Sequence, residues 1–179
     1  KKAVVLASGL PAGPGGGVGQ VVLTADEAEK WAKEGKKVIL VRNETSPEDV
    51  HGMHVAEAIL TAKGGMTSHA ALVARGWGKC CIVGCGALHI DLAAKKISVN
   101  GKTINEGDWI SMNGTAGKVY EGRVPVLPAD PERDKNYATL MAWADKVRQI
   151  GVRTNAESPA DAEQAVKFGA EGIGLARTE

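Results

Sequence analysis

Short apolar runs of strand length alternate along this chain with helix-like segments, and that alternation constrains the fold more than any other feature. "QVVLT" (20–24), "KVILVR" (37–42), "EAILTA" (57–62) and "CCIVGC" (80–85) are strand-like. The second is apolar almost throughout and reads as a buried strand. Between the first two lies "ADEAEKWAKEGK", with Asp26 and Glu27 in the opening turn and Lys33, Lys36 and Lys37 near the end, as a helix dipole favours. Gly35 is its stop. "SPEDVHGMHVA" opens on Ser46 as N-cap and Pro47 at the first helical position, where the missing proline N–H costs nothing. "KISVN", "DWISMNG" and "GKVYEG" then read as strands, and Asn100-Gly101 and Asn113-Gly114 suit hairpin turns with positive φ. Residues 1–124 read as one α/β domain.

The "GPGGGVGQ" run at 13–20 lacks the Gly-Lys-Ser/Thr ending of a phosphate loop, and a strand follows it rather than a helix. With its neighbours it reads as a turn-rich loop, "GLPAGPGGGVG". Prolines crowd "RVPVLPADPERD" and mark a boundary. Asp130 and Pro131 read as cap and first position of a helix whose apolar face is Tyr137, Leu140, Met141, Ala144, Val147 and Ile150. This is a linker helix over 125–150. From 151 to 179, "VRTNA", "SPADAEQAVKFG" and "EGIGLART" make strand, helix, strand. Ser158 caps, Pro159 follows, Asp161 closes a capping box and Gly169 stops the helix. That is a βαβ unit, the opening of a parallel-sheet domain. The chain starts without methionine and stops just after a strand-like run, so we read it as a segment of a longer polypeptide.

Lys plus Arg number 22 against 21 Asp plus Glu. A balance this even carries no footprint of a nucleic-acid or membrane-surface partner, and neither is expected. No apolar run approaches membrane-spanning length. Cys80, Cys81 and Cys85 are an odd count within six residues, with no second Cys or His cluster to complete a zinc site. They read as buried thiols in a reducing compartment. His51 and His54 share a helix face, but two ligands make no metal site, and no metal is expected on this segment. His89 reads as a loop residue. Trp31, Trp77, Trp109 and Trp143 read as core or interface anchors.

The chemistry centres on "GGMTSHAALVARGWGKCC", residues 64–81. Gly64 and Gly65 let the backbone turn and approach a ligand. Thr67 and Ser68 supply hydroxyls, and His69 stands at the first turn of a helix. Free amides and partial positive charge make such an end an anion site. They also favour the neutral, nucleophilic imidazole and would stabilise negative charge arriving on it. Spacing alone leaves a second reading open, a capping segment with an incidental histidine.

The same stretch resembles the phosphohistidine signature of the phosphoenolpyruvate-utilising (PEP-utilising) enzymes, and within them the dikinase branch, through "GGMTSHAALVARGWG" and the double cysteine after it. The resemblance implies a swivelling phosphohistidine domain of β/β/α type, then a linker helix and the first βαβ of a (β/α)8 barrel. It implies that His69 carries a phosphoryl group, supported by Gly64, Gly65, Thr67 and Ser68. The reaction would interconvert ATP, phosphate and pyruvate with AMP, pyrophosphate and PEP. Thr67 matches a threonine that plant members phosphorylate for regulation; its other reading is a cap or phosphoryl ligand. Lys63 stands where the family often has arginine. The "GLARTE" ending resembles the family's barrel motif, in which Arg177 would contact the phosphate of PEP; Arg153 is a weaker candidate. For the intact enzyme the resemblance implies Mg2+, a nucleotide-grasp (ATP-grasp) domain, the complete barrel and a homodimer. Family members occur in cytosol, plastids and glycosomes. Two alternatives stand beside this reading: a segment of the phosphoenolpyruvate synthase branch, and a noncatalytic carrier or docking module of the same fold.

Overall fold

The computed structural model describes residues 3–127 and 134–176. The chain divides into two compact units, one up to residue 126 and one from 127 onward. The first contains β1 (Val5–Ser8), β2 (Leu10–Gly13), β3 (Gly16–Val22), α1 (Ala25–Lys33) and β4 (Val38–Arg42). A 3-10 turn, Pro47–Asp49, runs into α2 (Val50–Val55), and β5 (Ala58–Thr61), α3 (His69–Gly76) and β6 (Cys80–Val83) follow. Five strands close the unit: β7 (Leu88–Asp91), β8 (Lys96–Val99), β9 (Lys102–Asn105), β10 (Trp109–Asn113) and β11 (Lys118–Glu121).

Eight strands form one sheet in the order β1-β11-β10-β3-β4-β5-β6-β2, with β7, β8 and β9 a separate antiparallel sheet. The run β3-β4-β5-β6 is parallel and its flanking pairs are antiparallel. Successive side chains on a strand point to opposite faces, and here both faces are buried. Val22, Val38, Leu40, Ile59, Cys81 and Val83 pack with Ala28 and Met53 of α1 and α2 and with the alanines of α3. Val21, Leu23, Ile39, Val41, Leu60 and Ile82 instead pack with Ile97, Val99 and Ile104 of the small sheet. The result is three layers, helices on sheet on sheet: the β/β/α arrangement that the resemblance implied. Full burial of each such Val, Leu or Ile contributes roughly 1.5–3 kcal/mol.

The glycine-rich run differs from its reading as a loop. It holds β2 and the start of β3, separated by a short turn. At several of these positions glycine is there because a neighbouring strand or loop of the same chain passes too close for a side chain. A Cβ on Gly13 would lie 2.1 Å from the Lys79 carbonyl oxygen, and one on Gly17 would lie 2.6 Å from the Ala58 Cβ. The outer strands β1 and β2 are separated only by Gly9, so the two edges of the sheet are one piece of chain turning a corner.

The hairpin turns split. Asn100 and Gly101 both take positive φ, 47° and 78°, between β8 and β9 as expected. At the other hairpin the positive φ falls on Gly117, and the Asn113 side chain accepts the Ala116 N–H instead. Asn113-Gly114 is therefore not a two-residue turn of that kind. His89 lies in β7 opposite Ser98, not in a loop. His51 has an acidic partner, Asp26, whose Oδ1 lies 2.8 Å from Nε2.

The second unit contains α4 (Lys135–Val147), β12 (Arg153–Thr154), α5 (Pro159–Lys167) and β13 (Gly172–Ile173). Asp134, not Asp130, caps α4, accepting the Asn136 and Tyr137 amides; Asp130 and Pro131 lie outside the described residues. The α5 capping box is formed as the sequence implied, Ser158 with Asp161. β12 pairs parallel with β13, making the expected βαβ. Arg148 bridges Asp145 and Glu171 within this unit and holds the Glu171 carboxyl below its ordinary range. Neither helix buries a residue. No helix among the described residues is long and apolar enough to cross a membrane.

Candidate functional site

The site forms where β4 and β5 end side by side. The two strands run parallel, and their pairing continues past both ends: Ala62 N–H donates to the Arg42 carbonyl and Lys63 N–H to that of Asn43. The two outgoing loops therefore start together. In open parallel sheets, ligands are met beyond such strand ends. The β5 loop runs from Ala62 to Ser68. Gly64 has φ +96°, and a Cβ there would sit 3.0 Å from that of Ser68. The positive φ favours glycine, and the nearness of Ser68 leaves little room for a side chain. Around Gly65 a Cβ would meet only open space, so the second glycine leaves bare backbone at the surface rather than making the turn.

Ser68 is the N-cap of α3, its Oγ accepting the Ala71 amide at 3.4 Å. Capping therefore falls to Ser68, and Thr67 stands exposed beside it. Ala70, Ala71 and Ala74 press the helix against the sheet, and their small size lets it lie close. Under its first turn the Cys81 thiol faces the Ala70 carbonyl at 3.9 Å. Burial, with the neighbouring Cys80 thiol second, pushes Cys81 up to about 12; burial pushes Cys80 up to about 11. Cys80, Cys81 and Cys85 are all buried and free. On the far side, Arg75 holds the Met66 carbonyl at 2.5 Å and so ties the glycine loop to the helix that follows it.

His69 is the first residue of α3 and is partly buried. Its Nδ1 lies 3.0 Å from the Thr45 Oγ1, on the loop leaving β4. Nε2 is the ring nitrogen with no protein partner among the described residues. The amides of His69 and Ala70, first in the helix, have no intrahelical carbonyl to bind. A cleft of about 260 Å3 opens here, lined by Glu44, Thr45, Lys63, Gly64, Ser68 and His69 among others. A cation, two hydroxyls and a helix end suit a phosphoryl-sized anion.

Thr45 was missed by reading the sequence. Its signal was positional: it lies three residues past the end of β4, the strand next to the one that leads into the glycines. Glu44 was missed as well and is the only carboxylate among the described residues that line the cleft. Mg2+ takes oxygen ligands in near-octahedral geometry and is commonly held by one or two carboxylates together with water and phosphate oxygens, so Glu44 by itself makes no all-protein metal cage, and no cluster of three or more His, Cys, Asp or Glu that could hold a metal occurs among the described residues. Of the other sequence candidates, Arg153 is in β12 with an exposed side, and Arg177 lies outside the described residues.

Comparison with known proteins adds family to geometry. The model of the PEP-utilising enzyme mobile domain matches residues 34–117, and that of the PEP-utilising enzyme PEP-binding domain matches 131–179. Pyruvate, phosphate dikinase 1, chloroplastic, of Arabidopsis thaliana is 58% identical over 98% of this chain. The chloroplastic enzyme of Mesembryanthemum crystallinum is 57% identical over 98%, and pyruvate, phosphate dikinase 2 of Oryza sativa subsp. japonica is 55% identical over 98%. The chain spans 18% of the length of the first two and 20% of the third.

Proposed function

Because this chain belongs to the PEP-utilising enzymes, we propose that it is the phosphoryl-carrier segment of a pyruvate, phosphate dikinase, with His69 as the carrier. Residues 1–124 are the mobile carrier, 125–150 its connection, and 151–179 the start of the PEP-binding barrel. The observation that supports this most directly is the contact between Thr45 and His69. A nucleophilic Nε2 needs its lone pair free, so the ring proton belongs on Nδ1, where the Thr45 oxygen accepts it. The ring is then oriented and Nε2 is left open.

In the proposed step Nε2 attacks phosphorus, the N–P bond forms, and the bond to the donor's leaving oxygen breaks. The amides of His69 and Ala70, with Lys63, meet the charge of the arriving phosphoryl oxygens. Lysine acts there as a point charge, where arginine would add a planar fork. A second acceptor then takes the phosphoryl group from Nε2. A nucleophile that serves two sites must be exposed to both, which suits a ring at the rim of a small, well-packed unit. The ATP-grasp domain, the rest of the barrel and a homodimer are proposed partners in the intact enzyme, with Mg2+ held there rather than in this cleft. Arg177 is the proposed contact for the phosphate of PEP, and Thr67, exposed two residues before the nucleophile, is the proposed site of regulatory phosphorylation.

The test is His69→Asn in an enzyme containing this segment. Both half-reactions should be abolished with the fold retained, and the wild-type label should be alkali-stable and acid-labile. An active His69→Asn enzyme rejects the nucleophile. Pyrophosphate formation that requires added phosphate identifies the dikinase; phosphate-independent turnover identifies the synthase.

A further inference from the structure

Thr45 can orient the imidazole only if its own loop is held still, and the two ends of that loop are tied differently. On one side Asn43 receives the Lys63 amide at 2.9 Å, an extension of the β4–β5 ladder. On the other side the tie is a side chain. Asp49 Oδ2 accepts the Ser46 amide at 2.9 Å and lies 3.5 Å from the Ser46 hydroxyl. Its other oxygen faces Arg42 Nε at 3.6 Å, at the end of β4. That Nε is buried and has no hydrogen bond, and the Arg42 head is fixed by the Leu23 carbonyl at 3.2 Å. Asp49 is 7% exposed. A buried carboxylate is strongly destabilising unless paired and hydrogen-bonded. Here it also joins a strand end, a helix start and the residue next to Thr45. Only Glu44 and Thr45 lie between the two ties.

We propose that Asp49 is a positioning residue for the phosphoryl-accepting ring: through Ser46 it places the Thr45 hydroxyl, which holds Nδ1 and leaves Nε2 as the nitrogen that reacts. This rests on the reading of His69 as the carrier, but it concerns the ring's orientation and can be tested without any turnover.

The experiment is 15N NMR of the His69 ring in this chain, as wild type, Thr45→Val, Asp49→Ala and the double variant, with exposed Glu48→Ala as control. Wild type and the control should show a single neutral tautomer protonated at Nδ1. Asp49→Ala should show a mixture of tautomers while its far-ultraviolet spectrum and cooperative unfolding persist. The double variant should show the mixture of Thr45→Val alone, because both act through one hydroxyl. If Asp49→Ala does not fold, Asp49→Glu is read the same way, since it keeps the charge beside Arg42 and displaces the carboxylate from Ser46. In parallel the chain is treated with phosphoramidate, whose P–N bond breaks as the new N–P bond forms and ammonia departs. Labelling at Nε2 should slow about tenfold in Asp49→Ala and in Thr45→Val, the scale of loss from a slightly misplaced nucleophile. A wild-type tautomer in the folded Asp49 variant, or losses that multiply in the double variant, overturns the proposal. A wild-type chain that takes no label at His69 counts instead against the carrier reading, and the tautomer result still decides the role of Asp49.

Discussion

Ser68 and Cys81 serve the first turn of α3 from opposite sides, one capping it at the surface and the other lying beneath it in the core. Their removal should be felt differently. Ser68→Ala loses a cap whose bond is long, so we expect about 0.5–1 kcal/mol lost, read as a lower urea midpoint with an unchanged m-value. The thiols carry a pH dependence. Burial raises Cys80 to about 11 and Cys81 to about 12 from an ordinary value of 9.0. The unfolded chain therefore releases these protons first as pH rises. Their contribution is fully present below pH 9 and is lost as pH climbs through the folded values. Lys79, which caps the end of α2 through the His54 and Ala56 carbonyls, is lowered by burial and has the opposite sign. The urea midpoint should fall between about pH 9 and pH 11, and less steeply in a Cys80→Ala, Cys81→Ala double variant. Equal slopes would show that other groups govern alkaline unfolding.

At the scale of elements, the glycines of β2 and β3 show how composition misleads. Glycine and proline punctuate loops when the local backbone needs their freedom, but in these strands glycine marks where a second backbone presses in. The two causes separate by mutation. Gly13→Ala drives a methyl group into the Lys79 carbonyl and should cost upwards of about 2 kcal/mol, as overpacking does. Gly15→Ala meets open space and suffers only from φ +96°, so it should cost about 1–2 kcal/mol. Thermal melts of the two variants give the order, and a milder Gly13→Ala would refute the packing explanation. The caps behave as their chemistry dictates, because a Ser-Pro start or a Ser-x-x-Asp box is completed within a few residues of chain. α4 is the exception only in that an aspartate four residues later than the expected one makes the bonds.

For the whole molecule, both apolar clusters of the first unit draw their buried residues from Leu6 to Val119 alone. Residues 1–126 should therefore fold cooperatively by themselves. In hydrogen exchange, the β4 and β5 amides should open only with global unfolding, while those of α5, which buries nothing, exchange orders of magnitude faster. Equal protection in α5 would contradict this. The sequence by itself determined the strand runs, the helix starts, the βαβ unit and the histidine at a helix end, because each depends on residues a few positions apart and on the period of burial. It misplaced or passed over elements whose cause is distant: the packed glycines, and β7 and β9, whose outward faces are polar. Only the tertiary structure decided which groups meet at the site. Thr45 and His69 are 24 residues apart. Parallel pairing of β4 with β5 brings their loops together, and a sheet buried on both faces holds them there, since sliding that pairing by one residue would turn every core side chain to the opposite face.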